Sequence, residues 1–474
     1  MVFNSIEFAI FFVTVAGSFF LLPGRWRWLL LLVASYLFYM RWNASYAVLI
    51  ALSTLVDFVA GRVIGHSNSA LRRKSALLAS LATNLGILFT FKYWGFFHET
   101  MASVAGMLHV PYSVPALELL LPVGISFYTF QTLSYTIDIY RGSLKPEPHL
   151  GQFALYVAFF PQLVAGPIER ASRLLPQLRQ SVVFDYARVT SGLQLMLWGL
   201  FKKVVVGDRL GVYADAVYNN PDGQSSWTLW VATYAFAFQI YCDFSGYSDL
   251  AIGSARVLGY DLMKNFRQPY FSQTITEFWR RWHISLSTWL RDYLYISLGG
   301  NRHGTLLTYR NLMLTMLLGG LWHGASWNFV IWGALQGLFL MTSRATLPTR
   351  DAIIARLGLP TLWVRLWRSV VTFHLVCLSW VFFRAATLPD AVHILRRAFE
   401  FDGALMLNQQ TMAHAVLGVA ALLLVETAME RYPAAVDRFA AAPTAVRWGA
   451  LYALLLAVIL AGVEDSSQFI YFQF

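Results

Sequence analysis

The sequence predicts an all-α protein that crosses a membrane many times. Of its 474 residues, 57% are hydrophobic and only 13% are charged, which lies outside the range of soluble globular chains. Tryptophans and tyrosines often stand just outside the apolar runs, where such side chains anchor in the membrane interface. The runs recur along the whole chain and no soluble domain interrupts them, so we expect one membrane domain over residues 1–474.

Apolar runs long enough to cross a hydrocarbon layer of about 30 Å predict about eleven transmembrane helices. They lie near residues 6–22, 28–43, 45–60, 76–96, 116–137, 190–207, 226–250, 311–341, 366–384, 413–428 and 446–464. The part beyond about residue 365 has the pattern of an ordinary helical bundle. We therefore expect the chemistry to lie between about residues 120 and 345.

The net charge of +11 comes from lysines and arginines in short connecting loops. Nucleic-acid binding would require a continuous basic face on a soluble domain, so nucleic acid is not an expected partner. Loop charge instead orients spans by the positive-inside rule and attracts anionic substrates. The basic loop at 61–75 favours the cytoplasm, and the first run lacks the preceding basic residues of a cleaved signal. These patterns predict a retained first span with a periplasmic N-terminus.

Metal and cysteine chemistry have little support in this sequence. Cys242 and Cys377 both lie inside apolar segments, which indicates neither a disulfide framework nor a thiolate site. The ten histidines are scattered and form no close pair of the kind that binds zinc, so no metal is expected. Nucleotide-binding loops, nucleophile elbows and zinc-protease motifs are also missing from the sequence.

Residues 150–168 do not have the pattern of a plain span. The run is short and contains Pro161, Gly166 and Pro167, each of which interrupts a helix. Irregular backbone at membrane depth is tolerated only where it lines a cavity or is buried in protein. A re-entrant segment is therefore expected here.

His323 lies in the middle of the apolar run 311–341, beside Gly319, Gly320 and Gly324. An ionisable residue in such a run indicates function, because hydrocarbon disfavours it. Burial would keep the imidazole neutral, so that it could accept a proton from an attacking hydroxyl. The alternative is a hydrogen-bonding histidine that ties two helices together, with the glycines serving only close packing. The pattern by itself leaves both readings open.

The stretch EFWRRWHISLSTWLRDYLYISLGGNRHG, residues 277–304, has helical periodicity. At 100° per residue, Trp282 and Trp289 share an apolar sector and His283 lies on its flank, while Arg280, Arg281 and Arg291 lie opposite. One amphipathic helix along the interface or a cavity wall is predicted. Its basic face is either an anchor on lipid phosphates or a dock for an anionic group.

The segment FQIYCDFSGYSDLAIG places five polar side chains at the end of an apolar span: Gln239, Asp243, Ser245, Tyr247 and Asp249. Two carboxylates so near a membrane segment require partners, and the arginines of 280–291 are the candidates. Buried ion pairing between helices and direct participation in catalysis remain open alternatives.

Four segments together resemble the membrane-bound O-acyltransferase family, in the bacterial branch that includes the membrane subunit of alginate O-acetylation and the teichoic-acid D-alanyl transfer protein. They are FPQLVAGPIER (160–170), YCDFSGYSDLAIG (241–253), NFRQPYFSQTITEFWRRWHISLSTWLRDYLYISLGGNR (265–302) and GGLWHGASWNFVIWG (319–333). One local departure is Ser297, where relatives often carry a proline.

The resemblance implies about eleven spans, with re-entrant and amphipathic helices, around a central funnel. It maps two family histidines onto His323, as general base or acyl relay, and His283, in support near the donor. In this family an acyl group passes from a cytoplasmic thioester to an outward acceptor, often with a periplasmic transferase. Acetyl-CoA is a polyanion, so the implied donor-binding residues are Arg280, Arg281, Arg291, Arg302 and Trp322, with Asn328 and the 239–249 cluster in support.

The implied function is O-acetylation in the bacterial inner membrane. Acetyl would move from acetyl-CoA, a substrate and not a bound cofactor, toward an exported polysaccharide such as alginate, with membrane lipid around the protein. Peptidoglycan or cellulose acetylation, or transfer from a carrier protein, are alternatives. A proton-coupled transporter is the alternative from another class, but it predicts paired repeats with matching broken helices, and the sequence shows none.

Overall fold

The computed structural model describes residues 1–117, 119–164, 166–406 and 409–463, and this part of the chain contains helices and no strands. The predicted all-α membrane fold is confirmed. The chain divides into two compact units, Met1–Met196 with Leu250–Met263, and Leu197–Asp249 with Lys264–Phe474. The single domain over residues 1–474 and the catalytic core at about 120–345 stay predictions.

Among the residues that the structure describes, the first unit contains nine complete helices and parts of α10 and α12. Its helices are α1 (Ile6–Leu21), α2 (Gly24–Met40), α3 (Ala47–His66), α4 (Ala70–Leu88), α5 (Trp94–Met107), α6 (Ile125–Tyr140), α7 (Leu150–Ala158), α8 (Phe160–Leu163), α9 (Ala171–Leu178) and the first part of α10 (Tyr186–Leu200). A π-helical segment, Phe89–Tyr93, joins α4 to α5.

The second unit contains the helices that follow, and α12 lies mostly within it. They are α11 (Asp208–Tyr218), α12 (Ser226–Val257), α13 (Ile275–Arg281), α14 (Ile284–Trp289), α15 (Thr305–His323), α16 (Trp327–Leu357), α17 (Thr361–Arg384), α18 (Leu388–Ala398), α19 (Gln409–Arg431), α20 (Pro433–Ala440) and α21 (Thr444–Ala461). Two π-helical segments, Phe201–Gly207 and Leu290–Tyr295, also belong to it.

Six helices in the described part of the chain are long and apolar enough to cross a membrane. They are Ala44–His66, Ala70–Met107, Tyr186–Tyr218, Thr361–Arg384, Met412–Arg431 and Thr444–Ala461. The multi-pass architecture follows from them, and the count of about eleven stays a prediction. The orientation of the N-terminus likewise stays a prediction.

A polar cluster holds three helices of the first unit together. Asp57 on α3 is fully buried, and it accepts hydrogen bonds from Ser80 at 2.5 Å and from Asn84 at 3.0 Å, both on α4. The Ser80 hydroxyl also lies 3.1 Å from that of Thr136 on α6. Since these donors are neutral, the cluster satisfies a buried carboxyl group without a buried cation.

Residue 165 lies outside the described residues, and the rest of the stretch 150–168 contains two short helices, α7 and α8, which meet at Phe159. Phe159 and Phe160 are completely buried. Pro161 lies in the first turn of α8, where its missing N–H removes no helical hydrogen bond. The segment is therefore broken and buried in protein as expected, while its re-entrant path through a membrane stays a prediction.

Buried lysines pair with the carboxylates of α12 in the second unit. Lys203, in the π-helical segment Phe201–Gly207, forms ion pairs with Asp243 and, at 2.7 Å, with Asp208. Lys202 lies 2.7 Å from Asp249 and donates to the Ser245 hydroxyl at 2.9 Å. The expected pairing of Asp243 and Asp249 with the arginines of 280–291 is therefore wrong.

The π-helical segment and a glycine together explain this pairing. A π-helical turn inserts a residue and changes the direction of the side chains that follow. At Gly246 on α12, a Cβ atom would lie 2.7 Å from the carbonyl oxygen of Gly199 and 3.2 Å from the backbone nitrogen of Lys203. Only glycine allows the two backbones to approach this closely, which brings the lysines within reach of α12.

We predict that Lys203→Met destabilises the protein by about 3–5 kcal/mol, because it leaves two buried carboxylates without their shared cation. Thermal unfolding of the detergent-solubilised protein measures the loss. The exposed Lys264 provides the matched control, since Lys264→Met removes the same charge from the surface of the same unit. If Lys203→Met unfolds at the wild-type temperature, the ion pairs do not stabilise the fold.

Candidate active site

His323 is the last residue of α15, and only three residues, Gly324 to Ser326, separate it from α16. The predicted interruption of the run 311–341 is thus a tight turn between two helices. A Cβ atom at Gly320 would lie 2.3 Å from the Phe329 carbonyl oxygen, and one at Gly333 would lie 2.4 Å from that of Met316. The glycines therefore permit a close crossing that fixes the position of His323.

Aromatic rings surround the imidazole of His323, which is 3% exposed. Its ring centroid lies 5.0 Å from that of Trp322, 5.1 Å from that of Trp332 and 5.4 Å from that of Phe383. Such walls exclude water and lower the local dielectric, which strengthens any electrostatic interaction inside them. The setting suits a reaction in which water must not compete with another nucleophile.

His283 lies at a break between two helices, so the prediction of one continuous amphipathic helix is wrong. α13 ends at Arg281, Trp282 is extended, and His283 has a left-handed backbone with φ of +42° before α14 begins. The backbone N–H of Ile284 donates to the carbonyl oxygen of Asn265 at 2.9 Å. A partner distant in sequence thus replaces helical hydrogen bonds, and helical periodicity carries no signal for it.

Asn265 also determines which ring nitrogen of His283 carries the proton. The Asn265 side-chain oxygen accepts from the backbone N–H of Ser285 at 3.2 Å and from the Ser285 hydroxyl at 2.9 Å. The same oxygen lies 3.1 Å from Nδ1 of His283 and can only accept. Nδ1 therefore bears the hydrogen and Nε2 bears the lone pair. The Asn265 amide donates in turn to Ser248 at 3.2 Å.

Burial lowers the pKa of His283 to about 3, and the side chain is completely buried. Phe244 packs against the imidazole with ring centroids 4.6 Å apart and nearly perpendicular planes. The His283 imidazole is therefore neutral at cellular pH, so it adds no charge to its apolar surroundings. His283 can accept a hydrogen bond or a proton at Nε2, but it does not act as a permanent cation.

The two predicted histidines lie side by side. Their ring centroids are 6.3 Å apart, and Trp322 lies 5.9 Å from His283 and 5.0 Å from His323. Trp322, predicted as a donor-binding residue, therefore contacts both imidazoles. The structure brings together in one unit two residues that are 40 positions apart in the sequence.

The predicted supporting residues divide into two groups. Asp243, Ser245 and Asp249 belong to the lysine network, and Tyr247 is buried with its ring 5.5 Å from the Lys203 ammonium group. The other two predicted supporting residues, Gln239 and Asn328, contact neighbouring parts of the helical bundle instead. Gln239 packs against Gly211 of α11, and Asn328 donates to the Ala385 carbonyl oxygen at 2.8 Å.

The predicted donor-binding arginines differ in their surroundings. Arg280 and Arg302 are exposed. Arg291 is exposed and lies 2.7 Å from Asp292. Arg281 is half-buried between two carboxylates, those of Glu277 at 2.7 Å and Glu430 at 2.8 Å. The charge of Arg281 is thus already compensated, and donor binding by the four arginines stays a prediction.

Sequence reasoning missed Asn265, Lys202 and Lys203. The two lysines had a visible signal, because they interrupt the apolar run 190–207 and a buried cation requires a carboxylate. Asn265 begins one of the four segments that carry the family resemblance, but a single asparagine in a polar connecting segment matches no periodicity or spacing that would reveal its role.

Comparisons with known proteins identify the family of this chain. A family model described as the membrane-bound O-acyltransferase family matches residues 141–356, which include both histidines. The probable alginate O-acetylase of Azotobacter vinelandii is 41% identical over 437 residues, covering 91% of this chain and 85% of that protein.

Two further relatives extend the match to other species. The probable alginate O-acetylase of Pseudomonas aeruginosa is 44% identical over 408 residues, covering 85% of this chain and 75% of that protein. The peptidoglycan O-acetyltransferase of Helicobacter pylori is 35% identical over 409 residues, covering 81% of this chain and 75% of that protein. The chain therefore belongs to the membrane-bound O-acyltransferase family, and it is an O-acyltransferase.

Proposed function

We propose that this protein transfers acetyl groups from cytoplasmic acetyl-CoA across the bacterial inner membrane to an exported polysaccharide or to a periplasmic partner transferase, as in alginate O-acetylation. The N-terminus would then lie in the periplasm. The observation that carries the proposal is the buried pair of His323 and His283, with ring centroids 6.3 Å apart inside aromatic walls. Similarity to proteins named as O-acetylases favours acetyl as the transferred group.

In the proposed reaction, His323 acts as the general base. It accepts the proton of the acceptor hydroxyl while that oxygen attacks the thioester carbonyl carbon. The tetrahedral intermediate then breaks the carbon–sulfur bond, and the departing thiolate takes the proton back from the imidazolium. The products are the acetyl ester and free coenzyme A, so atoms and protons balance.

His283 supports this step as a neutral imidazole that carries a lone pair on Nε2. Its Nδ1 hydrogen bond to Asn265 fixes the tautomer and the ring orientation. A neutral imidazole beside His323 also avoids a repulsive charge when His323 becomes protonated. Asn265 is thus a positioning residue in this proposal, since it acts through His283.

The acceptor in the proposal is an alginate-like polysaccharide. Peptidoglycan is the second candidate, because a peptidoglycan O-acetyltransferase is 35% identical to this chain. Cellulose and a carrier-bound donor remain weaker alternatives. Membership of an acyltransferase family favours enzymatic transfer over proton-coupled transport.

His323→Ala should lower acetyl transfer from radiolabelled acetyl-CoA by about 10²–10⁴-fold, the usual contribution of a general base. The purified full-length protein, inserted in lipid and monodisperse, is the material for the assay. His303→Ala is the matched control, since His303 is exposed and lies in the same unit. Wild-type transfer or hydrolysis by His323→Ala would remove the residue from the mechanism.

Asn265→Leu should lower kcat by about tenfold, because the loss of one hydrogen bond worth about 1–2 kcal/mol frees the ring and tautomer of His283. Asn265→Asp should retain the acceptor but raise the pKa of His283, since a carboxylate stabilises the imidazolium. Its activity should therefore fall on the acid side of the pH–rate profile.

Asn301→Leu, at an exposed position of the same unit, is the control for both variants. A purely structural role for Asn265 predicts lower stability with an unchanged pH profile. An Asn265→Asp profile that superimposes on the wild-type profile would contradict the positioning role.

Arg280→Gln should raise the apparent KM for acetyl-CoA several-fold and leave kcat unchanged. The exposed guanidinium attracts a polyanion without touching the reacting atoms, and its effect should shrink as salt increases. Arg72→Gln, which removes an exposed arginine of the other unit, is the control. An unchanged KM at low salt would exclude Arg280 from donor docking.

A further inference from the structure

The second unit contains a cavity of about 650 Å³ that the proposed reaction does not use. It lies between α16 and α17, and its walls are mostly apolar. The apolar lining includes Leu338, Phe339, Ile353, Leu357, Trp367 and Leu375. The volume lies within the range of about 300–1,000 Å³ that is usual for ligand sites.

Arg350 on α16 gives this apolar cavity a cationic group. Its Nη2 donates to the Ser343 carbonyl oxygen at 3.1 Å, and its Nε is buried without a hydrogen-bond partner in the described part of the chain. Arg350 also forms no ion pair with any residue that the structure describes, whereas Arg368, which lines the same cavity, pairs with Asp351. A buried guanidinium edge without an anion is costly unless an anionic ligand satisfies it.

The sequence around the cavity has the charge and aromatic pattern of a membrane surface. Residues 343–368 contain five arginines and one acidic residue, Asp351. Trp363 and Trp367 are 67% and 68% exposed, as is usual for side chains in the headgroup layer. Basic pockets of this kind between membrane helices bind anionic lipid headgroups.

We propose that this cavity binds an anionic phospholipid. The lipid phosphate would accept hydrogen bonds from Arg350, and an acyl chain would lie along the apolar wall formed by Leu338, Phe339 and Leu375. A free anion would satisfy the guanidinium but leave the apolar wall uncovered. A zwitterionic lipid would cover the wall but bring a compensating positive charge, so net charge and acyl chain are both required.

Native mass spectrometry of the full-length protein in detergent tests this site by titration with phosphatidylglycerol and with phosphatidylcholine. We expect phosphatidylglycerol to bind more tightly. Arg350→Gln should weaken its binding by about tenfold, the value of one charge-assisted hydrogen bond. Arg356→Gln removes an exposed arginine of the same helix that does not line the cavity, and binding should be unchanged.

A second variant tests the apolar part of the site without altering charge. Thr346 lines the cavity, and Thr346→Phe should fill part of it and weaken lipid binding while every arginine remains. Equal affinity for the two lipids, unchanged binding by both variants, or displacement of the lipid by inorganic phosphate at equal concentration would each overturn the proposal.

Discussion

The hydrogen bonds of Asn265 are the constraint on which the candidate active site depends. A helix break among buried residues leaves backbone groups that must find partners within the protein. Asn265 supplies them, because its carbonyl oxygen accepts from Ile284 and its side-chain oxygen accepts from Ser285 and His283. The left-handed backbone, the tautomer and the orientation of His283 all follow from these contacts.

His323 is held in a different way. Glycines on α15 and α16 let the backbones approach closely, and aromatic side chains surround the ring that this crossing positions. The resulting arrangement pairs one histidine with a specific polar partner and the other with an apolar enclosure. A fixed tautomer suits the supporting role proposed for His283, whereas the general base proposed at His323 must gain and lose a proton during each turnover.

The sequence permits prediction wherever the relevant signal is local. Glycines beside His323 mark the turn between α15 and α16, and the apolar runs mark a multi-pass helical protein. Periodicity over residues 278–294 indicated one helix, but the break at Trp282 and His283 depends on Asn265, which is 18 positions away from His283. Tertiary hydrogen bonds therefore outweighed local pattern.

The partners of the buried carboxylates were unpredictable for a related reason. Both lysines and both aspartates are visible in the sequence, but their pairing depends on the π-helical turn at Phe201–Gly207 and on the close approach at Gly246. Each is a property of two packed elements rather than of either one. Charge matching alone allowed the arginines of 280–291 equally well.

In the proposed reaction, the arginines that would capture the donor lie apart from the residues that would carry out the chemistry. Exposed guanidinium groups act through water and salt, so in the proposed reaction those of Arg280 and Arg302 would change the rate of encounter with the polyanionic donor but contribute little once it is bound. Arg281 is compensated by two carboxylates, and its ion pair with Glu430 links α13 to α19. The reacting groups need a different environment, because a general base works best where water is excluded and each charge forms only briefly. The structure meets this need by placing the aromatic rings of Trp322, Trp332 and Phe383 around His323.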